Sequence, residues 1–325
     1  MNSRERFHAL MQFQPVDRLP LVEWAIWWDK TQQRWHDEGL PSAVAARDDL
    51  YRYFGLEVYH QEWLEPRVPS PPYHGGPVVR SMDEYLRLRE TLFAPAQLDA
   101  ARWQALARQQ AGGDVVLWCS IVGFFWFPRL LLGIEGHLLA FYDQPELIQL
   151  MNADICAWNL QLLERITDFC TPDFVTIAED MSYNLGPMLS KTLFDEFLAP
   201  YYHQLIPALK ARGIYTLLDS DGDVSELAYW CEEVGIDGIL PLERQAGVDI
   251  ARLRAEHPSL RFIGHYDKMV MDKGEAAMRA EFERVLPVAR QGGYIISVDH
   301  QTHPGVSLQD YQLYLKLFRE YAALV

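Results

Sequence analysis

The stretch Ile214–Asp223, IYTLLDSDGD, decides how the rest of the chain is read. It is an apolar run that ends in a turn carrying three carboxylates, Asp219, Asp221 and Asp223. Gly213 stands just before it, where a left-handed residue closes a helix. Val224–Val234 begins another helix behind it. Helix, glycine, buried strand, polar tip and helix make one parallel α/β unit. In such folds the chemistry gathers at the carboxyl ends of the strands. The next question is therefore which polar groups end the other strands.

Working outward, the same grammar recurs. Val115–Val122, Phe174–Ala178, Gly238–Leu242, Arg261–Gly264 and Tyr294–Val298 read as further strands. Helices are expected over Ala96–Ala111, from Gly123 to Gly136, from Pro145 onward, from the cap Ser190 to Arg212, over Glu275–Ala289 and from Leu308 to about Leu324. Gly213, Gly235 and Gly292 each stop a helix just before a strand. Towards the N-terminus, Ser3 caps a helix Arg4–Phe13, Leu19–Trp24 reads as a first strand, and Asp29–Glu38 is helical up to Gly39. Residues 55–80 hold Pro66, Pro69, Pro71, Pro72 and Pro77 beside Gly75 and Gly76. They read as an irregular excursion with strand character at Leu56–Tyr59 and Pro77–Arg80, and Ser81 and Glu84 form a capping box after it. Seven or eight strand–helix units favour a closed barrel. The expected fold is a (β/α)8 TIM-type barrel of the α/β class, one domain over 1–325 with N-terminal helical and irregular additions.

Composition bounds the function. With 325 residues, 49% hydrophobic and 23% charged, the chain is long enough for such a barrel, which takes about 250 residues. The formal net charge of −16 opposes nucleic-acid and anionic-membrane binding, which select for basic patches. No 18-residue apolar run marks a membrane span. The start, MNSRERFHALMQF, is too charged for a signal peptide. Cys119, Cys156, Cys170 and Cys231 lack metal-type spacing and read as reduced thiols of a cytoplasmic protein.

On the barrel reading one rim collects Glu23, Glu179, Asp180, Asp219, Asp221, Glu243, His265, Asp267, Asp299, His300 and His303. Taken singly, each is explained as a helix cap or a solvated turn residue. Together, like charges at close range must be paired with cations, protonated or bound to a metal. Asp219, Asp221 and His300 form the candidate ligand set for a divalent cation, zinc or similar, with Glu243, His265 or Asp267 as further candidates. The alternative is a metal-free site in which a carboxylic acid and a histidine exchange protons. Trp24, Trp27 and Phe125 would shape an apolar pocket, Arg129 would meet a substrate carboxylate and His265 would contact substrate.

The order of these elements resembles the uroporphyrinogen decarboxylase superfamily over nearly the whole chain. The resemblance is carried by SRERFHALMQFQPVDRLPLVEW at the start, GIEG at Gly133–Gly136, EDMSYNLGPMLSKTLFDEFLAPYY at Glu179–Tyr202, LDSDGDV at Leu218–Val224, GIDGILPLE at Gly235–Glu243 and GGYIISVDHQTHPGVSLQDY at Gly292–Tyr311. It implies a (β/α)8 barrel. It also implies one of two activities, porphyrinogen decarboxylation or methyl transfer from methylated corrinoid proteins. The decarboxylase branch carries an arginine-rich segment after the first strand, where this chain reads AIWWDKTQQRW. Its tyrosine before GIEG falls on Leu132, and its C-terminal histidine matches His300. The methyltransferase branch holds zinc through a His-x-Cys pair and a later cysteine. Those positions fall on Asp219, Asp221 and Asp299 or His300.

The expected function is methyl-group transfer on a small molecule, with Glu179, Asp221, Glu243 and His300 as catalytic residues. A corrinoid would enter only through a partner protein, and a homodimer is compatible with the sequence. The alternative is decarboxylation of a porphyrinogen or a smaller carboxylic acid. A barrel that binds a ligand without turnover is the third reading.

Overall fold

Among the described residues, seven parallel strands form one sheet in chain order, and their C-terminal ends carry the rim of acidic residues. The computed structural model describes residues 1–70, 76–94 and 97–325. The strands are β1 Val58–Leu64, β2 Val115–Val122, β3 Phe174–Ala178, β4 Tyr215–Asp219, β5 Gly238–Leu240, β6 Arg261–Tyr266 and β7 Tyr294–Val298. Each pairs only with its sequence neighbours, and helices fill the crossovers, as parallel pairing requires. The register sets Ala178 opposite Asp219 and Asp219 opposite Leu240, so the polar tips of β3, β4 and β5 share one level. β2, β3 and β7 are buried along their whole length. That is why they read as continuous apolar runs rather than alternating ones.

The expected first strand, Leu19–Trp24, joins no ladder. It is an extended segment that touches both edges of the curled sheet. The Glu57 amide donates to Leu21 O at 2.9 Å on the β1 side. On the β7 side the Trp24 amide donates to Ser297 Oγ at 3.0 Å and its indole to Val298 O at 2.8 Å. Pro20 lacks an amide proton, and a side chain replaces a backbone acceptor at Ser297, so the repeating ladder does not form. The sheet is therefore seven-stranded and TIM-like.

Other expectations shift locally. The first helix is Ser3–Met11, capped by Asn2 in a capping box with Glu5 rather than by Ser3. The span from Ser190 to Arg212 divides at Leu198 into Lys191–Phe197 and Ala199–Lys210. Helices Arg47–Phe54 and Ile250–Glu256 and a short hairpin, Ser182–Tyr183 with Gly186–Pro187, were not foreseen. Residues 77–80 form no strand; the amides of Val78 and Val79 donate to Leu131 O instead. Pro71, Pro72, Gly75 and Ala96 lie outside the described residues. Gly213, Gly235 and Gly292 take φ of 72°, 82° and 80°, the left-handed turns expected before strands.

The inside of the curled sheet is packed. Trp118 stacks on Phe174 with ring centroids 5.1 Å apart, and with Val22, Trp24, Tyr59, Leu240 and Ile263 they leave a void of about 10 Å³. That floor directs any ligand to the C-terminal mouth above it.

Candidate active site

Each rim residue is placed by the turn that ends its strand. β4 runs into Asp219-Ser220-Asp221-Gly222, where Gly222 takes φ 85° and sits against the Tyr183 backbone. A Cβ there would lie 2.6 Å from Tyr183 Cα, so only glycine allows this close approach. The turn aims the Gly222 amide at Glu243 Oε2, 3.0 Å away, and the Asp221 amide at Asp180 Oδ1, 3.4 Å away. The turn after β7 brings His300 Nε2 to 3.7 Å from Asp221 Oδ2. As a result one donor atom each from Asp221, Glu243 and His300 lies within 4.8 Å of the other two, all three residues being partly exposed.

The charges here are crowded. Burial, then the charges of Asp180 and Glu243, push the Asp221 carboxyl up to about 7, with Lys268 opposing them. Burial and the charges of Asp180 and Asp221 hold Asp219 well above the ordinary carboxyl range. Burial also raises Asp180, a non-glycine residue at φ 40°. Asp299 is fully buried. Burial lifts it to about 6 against the pull of Lys268, whose ammonium is 3.1 Å away, and it also accepts the Arg244 amide at 3.1 Å. Burial and then Lys268 lower His300, which favours a neutral imidazole with a free lone pair. Two carboxylates and a neutral imidazole are a donor set that suits a divalent cation such as zinc or manganese. Asp219 stays outside that set; Glu243 completes it.

The remaining predicted site residues take other places. Trp24 is partly exposed, with its ring edge-on to His300 at 6.5 Å between centroids, so it lines the mouth. Arg129 is near it, stacked on Trp126 at 4.6 Å and donating to Asp180 O at 2.9 Å. Trp27 is 2% exposed and packs among Trp35, Tyr51, Phe54 and Tyr311. Phe125 is buried against His137 and Phe141.

His265 is buried too. At φ 69° its ring turns away: Nδ1 donates to Leu242 O at 2.9 Å and Nε2 accepts from Arg284 at 2.9 Å. Burial and Arg284 push it down to about 4, so it stays neutral. Asp267 caps the short turn Lys268–Val270. Glu179 is sealed: the amides of Phe124, Phe125 and Trp126 donate to it at 2.7, 2.6 and 3.0 Å, and the Tyr202 hydroxyl donates as well. It holds the start of helix Trp126–Asp143 in place. Burial pushes its carboxyl up to about 7 and these donors draw it back.

Two residues that sequence reasoning passed over belong here. Lys268 follows Asp267 directly after β6, a signal visible in the string HYDK. Arg47 opens an unforeseen helix and reaches into the mouth, and nothing local in the sequence marks it.

The family profile described as uroporphyrinogen decarboxylase (URO-D) matches residues 54–321. The chain belongs to the uroporphyrinogen decarboxylase family. Among solved structures, this family member is similar to a methyltransferase from Methanosarcina mazei, with a TM-score of 0.68 and 15% identity over 99% of both chains. A Listeria monocytogenes protein proposed as a vitamin-B12-independent methionine synthase aligns at a TM-score of 0.48 and 12% identity, covering 95% of this chain and 97% of that one. No curated protein matches the sequence significantly. At such identities the first similarity establishes the fold. The chemistry must be read from this chain's own URO-D rim.

Proposed function

We propose that this chain is an enzyme that transfers a methyl group to or from a small molecule, at a divalent cation held by Asp221, Glu243 and His300. The observation that carries the reading is the convergence of those three donors within 4.8 Å at the mouth of the sheet. Family membership and the shared fold of the methanogen methyltransferase support it. The reading takes the chain as one (β/α)8 domain with Leu19–Trp24 in the eighth place.

A divalent cation bound by Asp221, Glu243 and His300 would supply Lewis acidity that lowers the pKa of an acceptor atom. The chain does the rest. In the transfer, the acceptor's proton passes to solvent, the acceptor forms a bond to the methyl carbon, and the donor's leaving atom keeps the electron pair of the broken bond to that carbon. Asp219, whose carboxyl is held well above its ordinary range by burial and then by Asp180 and Asp221, is the acid that would give a proton to that leaving atom. Lys268 and Asp299 form an ion pair beside the turns that carry Glu243 and His300, and fix their orientation. Trp24 walls the mouth beside His300 and excludes water from that side.

Decarboxylation is the second reading, favoured by the family's description and by Asp219. A protonated carboxylic acid could deliver the proton that replaces departing carbon dioxide. The two readings separate in one experiment. Purified protein is assayed with methylcobalamin and small thiols, following loss of the methylcobalamin absorbance, and in parallel with uroporphyrinogen. Cation-dependent demethylation that Asp221→Ala abolishes supports transfer. Porphyrin product unaffected by chelators would remove it.

A further inference from the structure

The geometry points to an anion-recognition subsite on Arg47, set into the mouth beside the cation site, so that the substrate carries a carboxylate at a distance from its reacting atom. This deepens the proposed function and rests on the same mouth. Arg47 begins helix Arg47–Phe54, outside the sheet, yet its guanidinium reaches inward over the Trp118 ring, 5.7 Å from the centroid. It is held by neutral acceptors alone. Nε donates to Tyr51 Oη at 2.8 Å, one terminal nitrogen donates to Gln61 Oε1 and the other to Trp24 O. Among the described residues no carboxylate forms a salt bridge with it, although carboxylates crowd the same rim.

A guanidinium has five N–H donors, and those three bonds occupy three of them. Two remain, one on each terminal nitrogen, and both are open to the oxygens of an anionic ligand. Its bonding partners are all neutral, and its neighbour Asp48 acts on it only through space while bonding His60, so a direct anionic partner is left for a ligand to supply. Arg47, Trp24 and Gln61 all keep part of their surface open, while Ser120 and Thr176 below them are fully buried.

The orientation of the fork is fixed from beneath. Gln61 Nε2 donates to Ser120 Oγ at 2.7 Å, and Ser120 and Thr176 share a hydrogen bond of 2.7 Å. Arg47, which can only donate, selects the Gln61 carbonyl, and the Ser120 hydroxyl takes the amide that is left. Trp24 connects the two sites: its carbonyl accepts from Arg47 and its ring abuts His300. A ligand that meets both Arg47 and the Asp221–Glu243–His300 group therefore passes along Trp24. It is acidic at one end and carries the reacting heteroatom at the other.

The test uses propionate and its neutral isostere propionamide, titrated calorimetrically into the full chain. Propionate should bind at least about tenfold more tightly than propionamide, and Arg47→Gln should weaken propionate about tenfold to a hundredfold, as loss of a charged hydrogen-bond pair does. Arg47→Lys keeps the charge without the fork and should fall between. If Arg47→Gln does not fold, the propionate-to-propionamide ratio and Arg47→Lys decide. Asp221→Asn and chelator treatment should leave propionate affinity unchanged, so a cation site that proves absent does not affect the result. Equal binding of the two probes, no propionate binding to folded protein, or propionate affinity that follows Asp221 rather than Arg47 overturns the subsite.

Discussion

Replacing Trp27 by alanine separates a core role from a pocket role for the aromatic stretch after residue 23. Trp27 is 2% exposed and meets four aromatic rings, those of Trp35, Tyr51, Phe54 and Tyr311, at centroid distances of 6.2, 5.7, 6.2 and 6.0 Å. A buried tryptophan removes roughly 200 Å² from water, which at about 25 cal/mol per Å² is on the order of 5 kcal/mol. Alanine keeps a small part of that, and the cavity left behind adds to the loss. The measured range for such truncations, about 3–5 kcal/mol, is the expected destabilisation. Urea titration followed by far-UV circular dichroism should show a lower midpoint with an unchanged slope. At roughly 2 °C per kcal/mol for a chain of this size, Tm should fall by about 6–10 °C. Cation content and ligand affinity should not change. A loss below about 1 kcal/mol together with a large drop in ligand affinity would refute the packing argument and return Trp27 to the pocket.

Gly123→Ala places a Cβ 2.1 Å from Glu179 Oε1, so the carboxylate must leave its amide donors; a loss of at least about 2 kcal/mol in urea titration is expected, and an unchanged midpoint would contradict that role for Glu179. Burial lowers the His60 pKa, but the hydrogen bonds its ring donates to Asp48 and Glu62 outweigh burial and bring it to about 9. The stability it contributes is complete below its ordinary value of 6.5 and is lost as pH rises through about 9, so Tm should decline over that window and His60→Gln should flatten the decline. Lys268→Met leaves Asp299 buried without its cation. Because the Asp299 pKa is raised in the fold to about 6, its cost grows with pH: a destabilisation of about 3 kcal/mol is expected at pH 8 and less at pH 5, and a pH-independent loss would argue against the pairing.

The strands were legible where burial on both faces leaves a continuous apolar run. Val115–Val122, Phe174–Ala178 and Tyr294–Val298 have the bounds the sequence suggests. Leu19–Trp24 has the same composition, but a ladder depends on partners, and Pro20 and the Ser297 side chain supply other bonding. Helix Arg47–Phe54 was hidden because its only cap signal is Gly55 at φ 65° and its first residue is a cation committed to the mouth. Within the site, the sequence pointed to Asp219, Asp221 and His300 with Glu243 as a further candidate, because all follow strands that end at one rim, whereas the three donors that converge are Asp221, Glu243 and His300.

Which way a side chain turns after its strand could not be anticipated. His265 and Glu179 occupy the same kind of position as Asp221, yet a left-handed backbone sends His265 to Arg284, and the amides of a neighbouring helix start capture Glu179. Those are three-dimensional facts with no local signature. Arg47 is the reverse case, a surface-helix residue by pattern that reaches the mouth across Tyr51 and Trp118.

The most direct test of the cation site is elemental analysis of protein purified without a histidine tag or added metal, beside Glu243→Ala and His300→Ala. Near one equivalent of a divalent ion in the wild type, lost in both variants while the circular dichroism spectrum is kept, is the expected result. A folded wild type that holds no divalent ion and takes none up on titration with zinc or manganese would contradict the cation site. The carboxylates and His300 would then be left to proton transfer alone.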